Sequence, residues 1–355
     1  MQDREVKIPI SVLTGFLGSG KTTVLNRLVH DPRMARALVI INEFGEIGLD
    51  HELVEKAIDD MVLLQSGCLC CTIRSDLIDT LQRMSDRLDR GEIQKFDRVL
   101  IETTGLADPA PILQGFMTDH LISRRFDIDG VIATVDAVNG SATFDRHIEA
   151  VKQVAMADRL LLTKTDIADS ACSDIVAKRM TALNPAATII RTMPDGTIDP
   201  AVLFDVGLYD PATKLPDARR WLDEAAYEVT GVDHSRGDHG HGPHGLSHDV
   251  NRHDEHIHAV CLVFDDPIPG ELFDRWMSSL LRLQGPNLLR FKAIVNLEQL
   301  PGPLILHGVQ HVIHPPVALK TWPSADRRTR MVFITYDIDE STLRASFARA
   351  VCESG

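Results

Sequence analysis

The sequence predicts an α/β protein with two domains, in which a doubly wound, mostly parallel sheet is followed by a smaller α/β domain. Short apolar runs of strand length alternate with helical patterns through the first part of the chain, an order typical of a parallel sheet covered by helices. The chain also has 355 residues, more than one hydrophobic core usually holds. We therefore expect the parallel sheet to form the first domain and the remaining residues to form the second.

A phosphate-binding loop lies near the amino terminus. Residues 15–22 fit the pattern G-x-x-x-x-G-K-[ST], between an apolar run at 8–13 and a helical pattern over 21–30. The glycines let backbone N–H groups approach phosphates, the lysine neutralises the outer phosphates, and the threonine hydroxyl can ligate Mg²⁺. The order of strand, loop and helix therefore predicts a nucleoside triphosphate site. Its predicted binding residues are Gly15, Gly18, Ser19, Gly20, Lys21, Thr22 and Thr23, with Lys21 also catalytic and Thr22 the Mg²⁺ ligand.

Further apolar runs continue the predicted sheet after this loop. One helix is predicted over 75–88, where apolar residues share one face and Ser75 is in position to cap the amino end. The strand candidates are residues 37–41, 61–64, 98–101, 130–135, 159–162 and 188–190.

An acidic residue and a glycine follow the strand candidate at 98–101. In such folds this position places a carboxylate near Mg²⁺ and a glycine beside the terminal phosphate. Glu102 would act through a Mg²⁺-bound water or by orienting the attacking water, and the N–H of Gly105 would sense the γ-phosphate. The alternative is a carboxylate that merely caps the next helix.

The strand candidate at 159–162 leads into a predicted base-recognition loop, Thr163 to Asp166. A carboxylate at Asp166 can accept from N1–H and N2–H of guanine, a donor pair that adenine lacks, so we favour GTP over ATP. The stem of Lys164 would lie over the purine, whereas Thr163 lacks the amide of the more usual Asn. A plain turn at a strand end is the alternative interpretation.

Three cysteines predict a metal site. Cys68, Cys70 and Cys71 lie between a strand end and a helix start, where helix polarity favours the thiolate form. Ionised sulfur at this spacing suits Zn²⁺ and could also hold Co²⁺, Ni²⁺ or Cu⁺. We expect Glu46, or less well Glu43, to complete the shell. The alternatives are an inert or redox-active cysteine trio and a solvated loop carboxylate at Glu46.

A histidine-rich segment separates the two predicted domains. Residues 234–258 hold eight of the 15 histidines among Gly, Pro, Asp and Ser, a composition typical of a flexible linker. We place the nucleotide-binding domain at 1–206, the linker at 207–257 and the carboxy-terminal domain at 258–355. The linker histidines would capture metal loosely, or they would serve only as a spacer.

The carboxy-terminal domain is predicted from four apolar runs and two helical patterns. We interpret His307, His311 and His314 as structural residues of one strand, in which His314 would point away from the other two. The predicted strands are 258–264, 288–296, 303–313 and 330–336, and the helices are 271–283 and one that begins at 339–341.

Composition limits the function further. Lys and Arg number 37 against 51 Asp and Glu, and the resulting net charge of -14 argues against nucleic acid and anionic membranes as partners. The chain has no apolar run of about 20 residues and no signal-peptide core at its start, so we expect a cytoplasmic protein. Three of the six cysteines crowd into 68–71, which excludes a disulfide framework. The oligomeric state is left open between monomer and homodimer.

Five motifs follow one another along the chain: GFLGSGKTT, NEFGEIG, SGCLCCTIR, ETTGLADPAP and TKTD. A histidine-rich hinge and the run LLRFKAIV come after them. Over nearly its whole length the chain thus resembles the CobW-type metal-chaperone GTPases. The resemblance implies a P-loop NTPase domain with a CobW-type carboxy-terminal domain, GTP as substrate with Mg²⁺, zinc or cobalt as the usual cargo, and a client metalloprotein. Thr163 and Ala293 depart from the usual Asn and Gly of that pattern.

The motifs together predict a nucleotide-timed metal chaperone. GTP and Mg²⁺ would order the loops that carry Glu46 and Glu102 and tighten the thiolate site, and hydrolysis would loosen it for transfer. A P-loop kinase acting on a small acceptor and a metal storage protein that relies on the histidine linker are the alternatives.

Overall fold

The structure is a computed structural model, and it describes residues 7–43, 61–65, 70–193, 198–204, 256–322 and 325–352. Most of the predicted linker at 207–257, including most of the histidine-rich segment, lies outside these ranges. Within them, no helix combines the length and the apolar character that crossing a membrane requires.

The predicted parallel sheet is confirmed. Every pairing between its described strands is parallel. The described strands are β1 Ile8–Gly15, β2 Ala37–Glu43, β3 Met61–Gln65, β4 Arg98–Glu102, β5 Phe126–Asp136, β6 Arg159–Thr163 and β7 Thr188–Arg191. Their order across the sheet is β3-β2-β4-β1-β5-β6-β7. Because the strands are parallel, the loops at their carboxyl ends share one edge of the sheet.

Helices cover both faces of this sheet. On one face Ile10 and Val12 pack with Leu77, and on the other Leu13 packs with Leu25. Since both faces are buried, the strands are apolar almost throughout. The described helices are α1 Lys21–Val29, α2 Cys70–Asp89, α3 Ala110–Thr118, α4 His120–Arg125, α5 Gly140–Arg146, α6 Ile148–Met156, α7 Ser170–Leu183 and α8 Pro200–Leu203.

The predicted start of α2 was wrong. The helix begins at Cys70, so Ser75 lies inside it and does not cap its amino end. No proline or glycine separates Cys70 from Ser75, and nothing therefore interrupts helical hydrogen bonding between them. Cys70 and Cys71 consequently belong to the first turn of the helix.

The second domain is confirmed as a separate sheet with helices, and its strand pairings are antiparallel. Leu272, Phe273, Trp276 and Leu280 of the predicted helix are buried, and Trp276 Nε1 donates to Ser346 Oγ at 2.9 Å. The described elements are β8 Ile257–Phe264, α9 Gly270–Gln284, β9 Leu288–Val295, β10 Leu304–Val309, β11 Val312–Ile313, β12 Val317–Ala318, β13 Thr329–Tyr336 and α10 Glu340–Cys352. The strand order is β11-β10-β9-β13-β8, and β12 pairs with β10.

The prediction of one strand over 303–313 was wrong. The chain reverses after Val309, because Gln310 adopts a left-handed conformation with φ 53° and Val309 pairs with Val312 in an antiparallel hairpin. Neither Gln310 nor His311 is a typical residue of a tight turn, so the sequence carried no turn signal.

The two domains meet at a buried ion cluster. Asp158, which immediately precedes β6, accepts from Arg290 Nη2 at 2.5 Å and from Lys292 Nζ at 2.9 Å. Burial alone would raise the pKa of Asp158, but the charges of Arg290 and Lys292 outweigh burial and hold that pKa far below its usual value. A second contact joins Gln114 Nε2 of α3 to Gln310 Oε1 at 2.8 Å. The carboxy-terminal domain therefore contacts both α3 and the segment between α6 and β6.

His307 lies beside the ion cluster, opposite Lys292 in the ladder between β10 and β9. Burial and the positive charges of Lys292 and Arg290 hold the pKa of His307 well below 6.5; His314 acts in the same direction and Asp158 opposes it. The folded protein therefore binds fewer protons at this residue than the unfolded chain does once the pH falls below about 6.5.

Acidification is accordingly expected to destabilise the fold through His307. The thermal midpoint of the wild-type protein should fall between about pH 7 and about pH 5.5, and His307→Asn, which does not titrate, should flatten that fall. His311→Gln is the matched control, because His311 is exposed on the same hairpin. Equal pH dependence in the wild type and in His307→Asn would contradict the assignment.

Candidate functional site

The predicted phosphate loop connects β1 to α1 at the carboxyl edge of the sheet. Gly15 ends β1, and Gly18 and Ser19 follow in the loop. Gly20 precedes the helix with φ 93°, a left-handed conformation in which a side chain would be strained. The loop thus has the backbone geometry that its glycine pattern predicts.

The polar residues of α1 follow this loop directly. Lys21 is 8% exposed, and its Nζ donates to the carbonyl of Phe16 at 3.2 Å. Thr22 Oγ1 donates to Glu102 Oε1 at 3.1 Å, although the two residues are far apart in sequence. Thr23 is exposed in the same turn. The helix start therefore brings Lys21 to the loop and Thr22 to the end of β4.

Glu102 ends β4 beside Leu13 of β1 and is 1% exposed. It does not cap the next helix, because α3 begins at Ala110, whose N–H donates to Asp108 Oδ1 at 2.9 Å. The hydroxyl of Thr22 and the carboxylate of Glu102 are the hard oxygen ligands that Mg²⁺ prefers, so this pair fits the cation that the sequence predicts.

The loop after Glu102 lies tightly against the phosphate loop. A Cβ on Gly105 would stand 2.7 Å from the backbone nitrogen of Leu17, so only glycine allows this approach. Gly105 is thereby placed at the tip of the phosphate loop, where the sequence predicts a γ-phosphate sensor.

The predicted base-recognition loop is joined to the phosphate loop by a side chain. Thr163 is 4% exposed, and its hydroxyl donates to the carbonyl of Ser19 at 2.7 Å, with the carbonyl of Val135 a second nearby acceptor at 3.1 Å. The hydroxyl therefore braces the two loops in place of the missing amide of Asn. Lys164 follows in a left-handed conformation, with φ 57°, and Asp166 is exposed at the edge of the loop.

Asp136 is a residue of this site that the sequence analysis missed. It ends β5, accepts from Lys164 Nζ at 2.7 Å, and also accepts from the backbone N–H of Val138 and the side chain of Asn139. Burial alone would raise the pKa of Asp136, but the hydrogen bonds from Lys164 and Asn139 outweigh it and lower that pKa. An aspartate at the end of a predicted strand was the available signal.

A cavity of about 290 Å³ lies beside the tip of the phosphate loop. Its wall is formed by the loop, the end of β5, α5 and α6. The polar or aromatic lining residues include Phe16, Ser19, Asp136, Asn139, Gln153 and Lys164.

The predicted thiolate site is described only by its backbone. Cys70 and Cys71 are the first residues of α2, which follows β3. Strand β3 is the outermost strand on one side of the parallel sheet, and its carboxyl end lies on the same sheet edge as the phosphate loop. Three strand spacings separate β3 from β1, or about 14 Å. Glu46 and Cys68 lie outside the described residues. Among the described residues, no three His, Cys, Asp or Glu side chains form a metal cluster.

Two family models match the chain. The first, described as the CobW/HypB/UreG nucleotide-binding domain, covers residues 9–191. The second, described as the cobalamin synthesis protein cobW C-terminal domain, covers residues 257–351.

Named relatives are similar over most of the chain. The zinc chaperone YjiA of Escherichia coli is 33% identical over 341 residues, which cover 96% of this chain and 98% of the relative. The zinc-regulated GTPase metalloprotein activator 1 of Schizosaccharomyces pombe is 32% identical over 57% of this chain and 50% of its own length. The crystal structure of Zn(II)-bound YjiA GTPase from Escherichia coli superimposes with a TM-score of 0.69 at 29% identity, covering 98% of this chain and 99% of that chain.

Proposed function

The chain belongs to the CobW/HypB/UreG family, and from this premise we propose that it is a GTP-dependent zinc chaperone that hydrolyses GTP and delivers the metal to a client metalloprotein. The observation that carries the enzymatic part is the hydrogen bond between Thr22 and Glu102. It joins the phosphate loop to the strand that leads into the Gly105 loop, as a site for metal-assisted phosphoryl transfer requires. The names of the zinc chaperone and GTPase relatives support the metal and the nucleotide.

We propose that the nucleotide is held by the backbone and side chains of three loops at the carboxyl edge of the sheet. The backbone N–H groups of residues 15–20 and the ammonium of Lys21 hold the phosphates, and the Gly105 N–H contacts the γ-phosphate. Asp166 accepts from guanine, while Asp136 holds Lys164, whose stem lies over the purine. The attacking water forms the new bond to the γ-phosphorus as the bond to the bridging β–γ oxygen breaks, and the proton that the water loses passes to the released phosphate or to solvent, which gives GDP and phosphate.

Thr22 and Glu102 would hold Mg²⁺, the threonine hydroxyl as a ligand and the carboxylate through a water. When bound, the cation neutralises charge on the β- and γ-phosphates. Of the two roles that the sequence left open for Glu102, its hydrogen bond to Thr22 supports the one beside the cation.

Cargo zinc is proposed to bind the thiolates of Cys68, Cys70 and Cys71, with Glu46 as the fourth ligand. The amino end of α2 stabilises thiolates, because the helix dipole favours negative charge there. Soft sulfur ligands accept Co²⁺ or Ni²⁺ as well, and zinc is preferred here because the relatives are named for it. We propose that this segment and the Gly105 loop, which follow strands of the same parallel sheet, move together when the nucleotide changes.

Zinc affinity is therefore expected to differ between nucleotide states. Titration of the full chain with zinc, in a non-hydrolysable GTP analogue and then in GDP, should give affinities about 5-fold to 150-fold apart, the usual range for two coupled sites. By reciprocity, zinc should change the affinity for the GTP analogue by the same factor.

Two cysteine variants complete this experiment. Cys70→Ser should lose tight zinc binding and still bind the GTP analogue. Cys172→Ser is the matched control, because Cys172 is exposed near the start of α7, away from the predicted metal motif. Indistinguishable zinc affinities in the two nucleotide states would contradict the coupling, and tight zinc binding by Cys70→Ser would contradict the site.

A further inference from the structure

Helix α6 carries a buried glutamine that contacts the γ-phosphate loop. Gln153 is 1% exposed, and its Nε2 donates to the carbonyl of Gly105 at 3.2 Å and to that of Ala107 at 3.0 Å. Gly105 meets the phosphate loop at Leu17 on its other side. The loop is therefore held between Leu17 and the Gln153 amide.

The two N–H groups of its side chain explain why position 153 holds a glutamine. A side-chain amide offers two N–H groups, which match the two loop carbonyls. Among the described residues, Gln153 Oε1 has no hydrogen-bond partner, although it is buried. Within the described residues the amide therefore acts on the loop through its two N–H groups.

Helix α6 is itself held at both ends. The ring of His147, just before the helix, stacks on Phe16 of the phosphate loop at 4.4 Å between centroids. The carbonyl of Met156, the last helical residue, accepts from Arg290 of the carboxy-terminal domain. The helix is thus a fixed support from which Gln153 reaches the loop.

We propose that Gln153 is a positioning residue for GTP hydrolysis, which holds the Gly105 loop in the conformation that contacts the γ-phosphate. The inference rests on the proposed function, because a γ-phosphate contact matters only if the chain binds and hydrolyses GTP. GDP lacks the γ-phosphate, so Gln153 affects the GTP state and not the GDP state.

Gln153→Met tests this proposal in the full chain. Methionine keeps an unbranched side chain of similar length and removes both donors. Affinity for a non-hydrolysable GTP analogue is expected to fall about fivefold and kcat about tenfold, the scale of one or two buried hydrogen bonds, while GDP affinity stays within about twofold.

Gln114→Met is the matched control. Gln114 is also a buried helical glutamine, but its Nε2 donates to Gln310 and not to the loop. The ratio of GTP-analogue affinity to GDP affinity in Gln114→Met should equal that of the wild-type protein. Gln153→Leu, a smaller apolar residue that also removes both donors, is the second variant if Gln153→Met does not fold.

Two results would overturn the proposal. Equal weakening of GDP and GTP-analogue binding would show that Gln153 only stabilises the domain, and an unchanged ratio with unchanged kcat would show that the loop does not need it. Failure of the proposed function can be told apart from failure of the role of Gln153. A wild-type chain that hydrolyses no GTP would contradict the proposed function, but its ratio of GTP-analogue to GDP affinity could still be compared with that of Gln153→Met.

Discussion

Glu102→Gln is expected to lower kcat for GTP hydrolysis by about 10²-fold to 10⁴-fold, while the protein still binds the GTP analogue. Glutamine preserves the shape of the side chain and its contact distance to Thr22, but it removes the negative charge from a position that is 1% exposed. Charge in such a dry site acts strongly on a nearby cation and on the phosphates, because little water screens it.

The Mg²⁺ dependence of turnover in Glu102→Gln depends on which role the carboxylate has. If Glu102 acts beside the cation, the Mg²⁺ concentration that gives half-maximal turnover should rise in Glu102→Gln. Single-turnover hydrolysis across a Mg²⁺ series measures this. Glu92→Gln, an exposed glutamate of the same domain, is the control. Wild-type turnover in Glu102→Gln, or equal loss of GDP and GTP binding, would remove Glu102 from the proposed chemistry.

Asp158→Ala is expected to destabilise the folded chain by about 3–5 kcal/mol, the usual cost of leaving buried charges without their partner. Asp158 and its two partners Arg290 and Lys292 are all almost fully buried. Removing the carboxylate would take away the acceptor that both buried cations share at the domain interface. Urea unfolding followed by separate probes of the two domains measures the effect, because two domains need not unfold in one step.

A combined variant separates the loss of charge from the loss of packing. Asp158→Ala with Arg290→Met and Lys292→Met removes the whole cluster and should recover much of the lost stability, since apolar replacement of a buried ion cluster is often neutral. Asp89→Ala, which breaks the exposed pair with Arg125, should change stability far less because water screens that pair. If Asp158→Ala behaved like Asp89→Ala, the cluster would not hold the domains together.

Much of the nucleotide site could be predicted because its parts are contiguous in sequence. The phosphate loop works through the backbone of consecutive residues, so a glycine and lysine pattern between a strand and a helix identifies it. The motifs predicted Thr22 as a Mg²⁺ ligand and Glu102 near the same cation or the attacking water, whereas the hydrogen bond between the two residues is seen only in the structure. The start of α2 and the hairpin after Val309 were missed, since neither carries a proline, glycine or typical turn residue at the boundary.

The sequence by itself determined the fold class, the nucleotide and metal motifs, and the order in which they follow one another, because these depend on local backbone geometry and on the periodicity of apolar residues. Only the tertiary structure decided that Gln153 holds the Gly105 loop and that Asp158 binds the second domain. The physical reason is that a buried polar side chain takes its role from whichever groups the packing places within hydrogen-bond distance, and those groups lie far away along the chain.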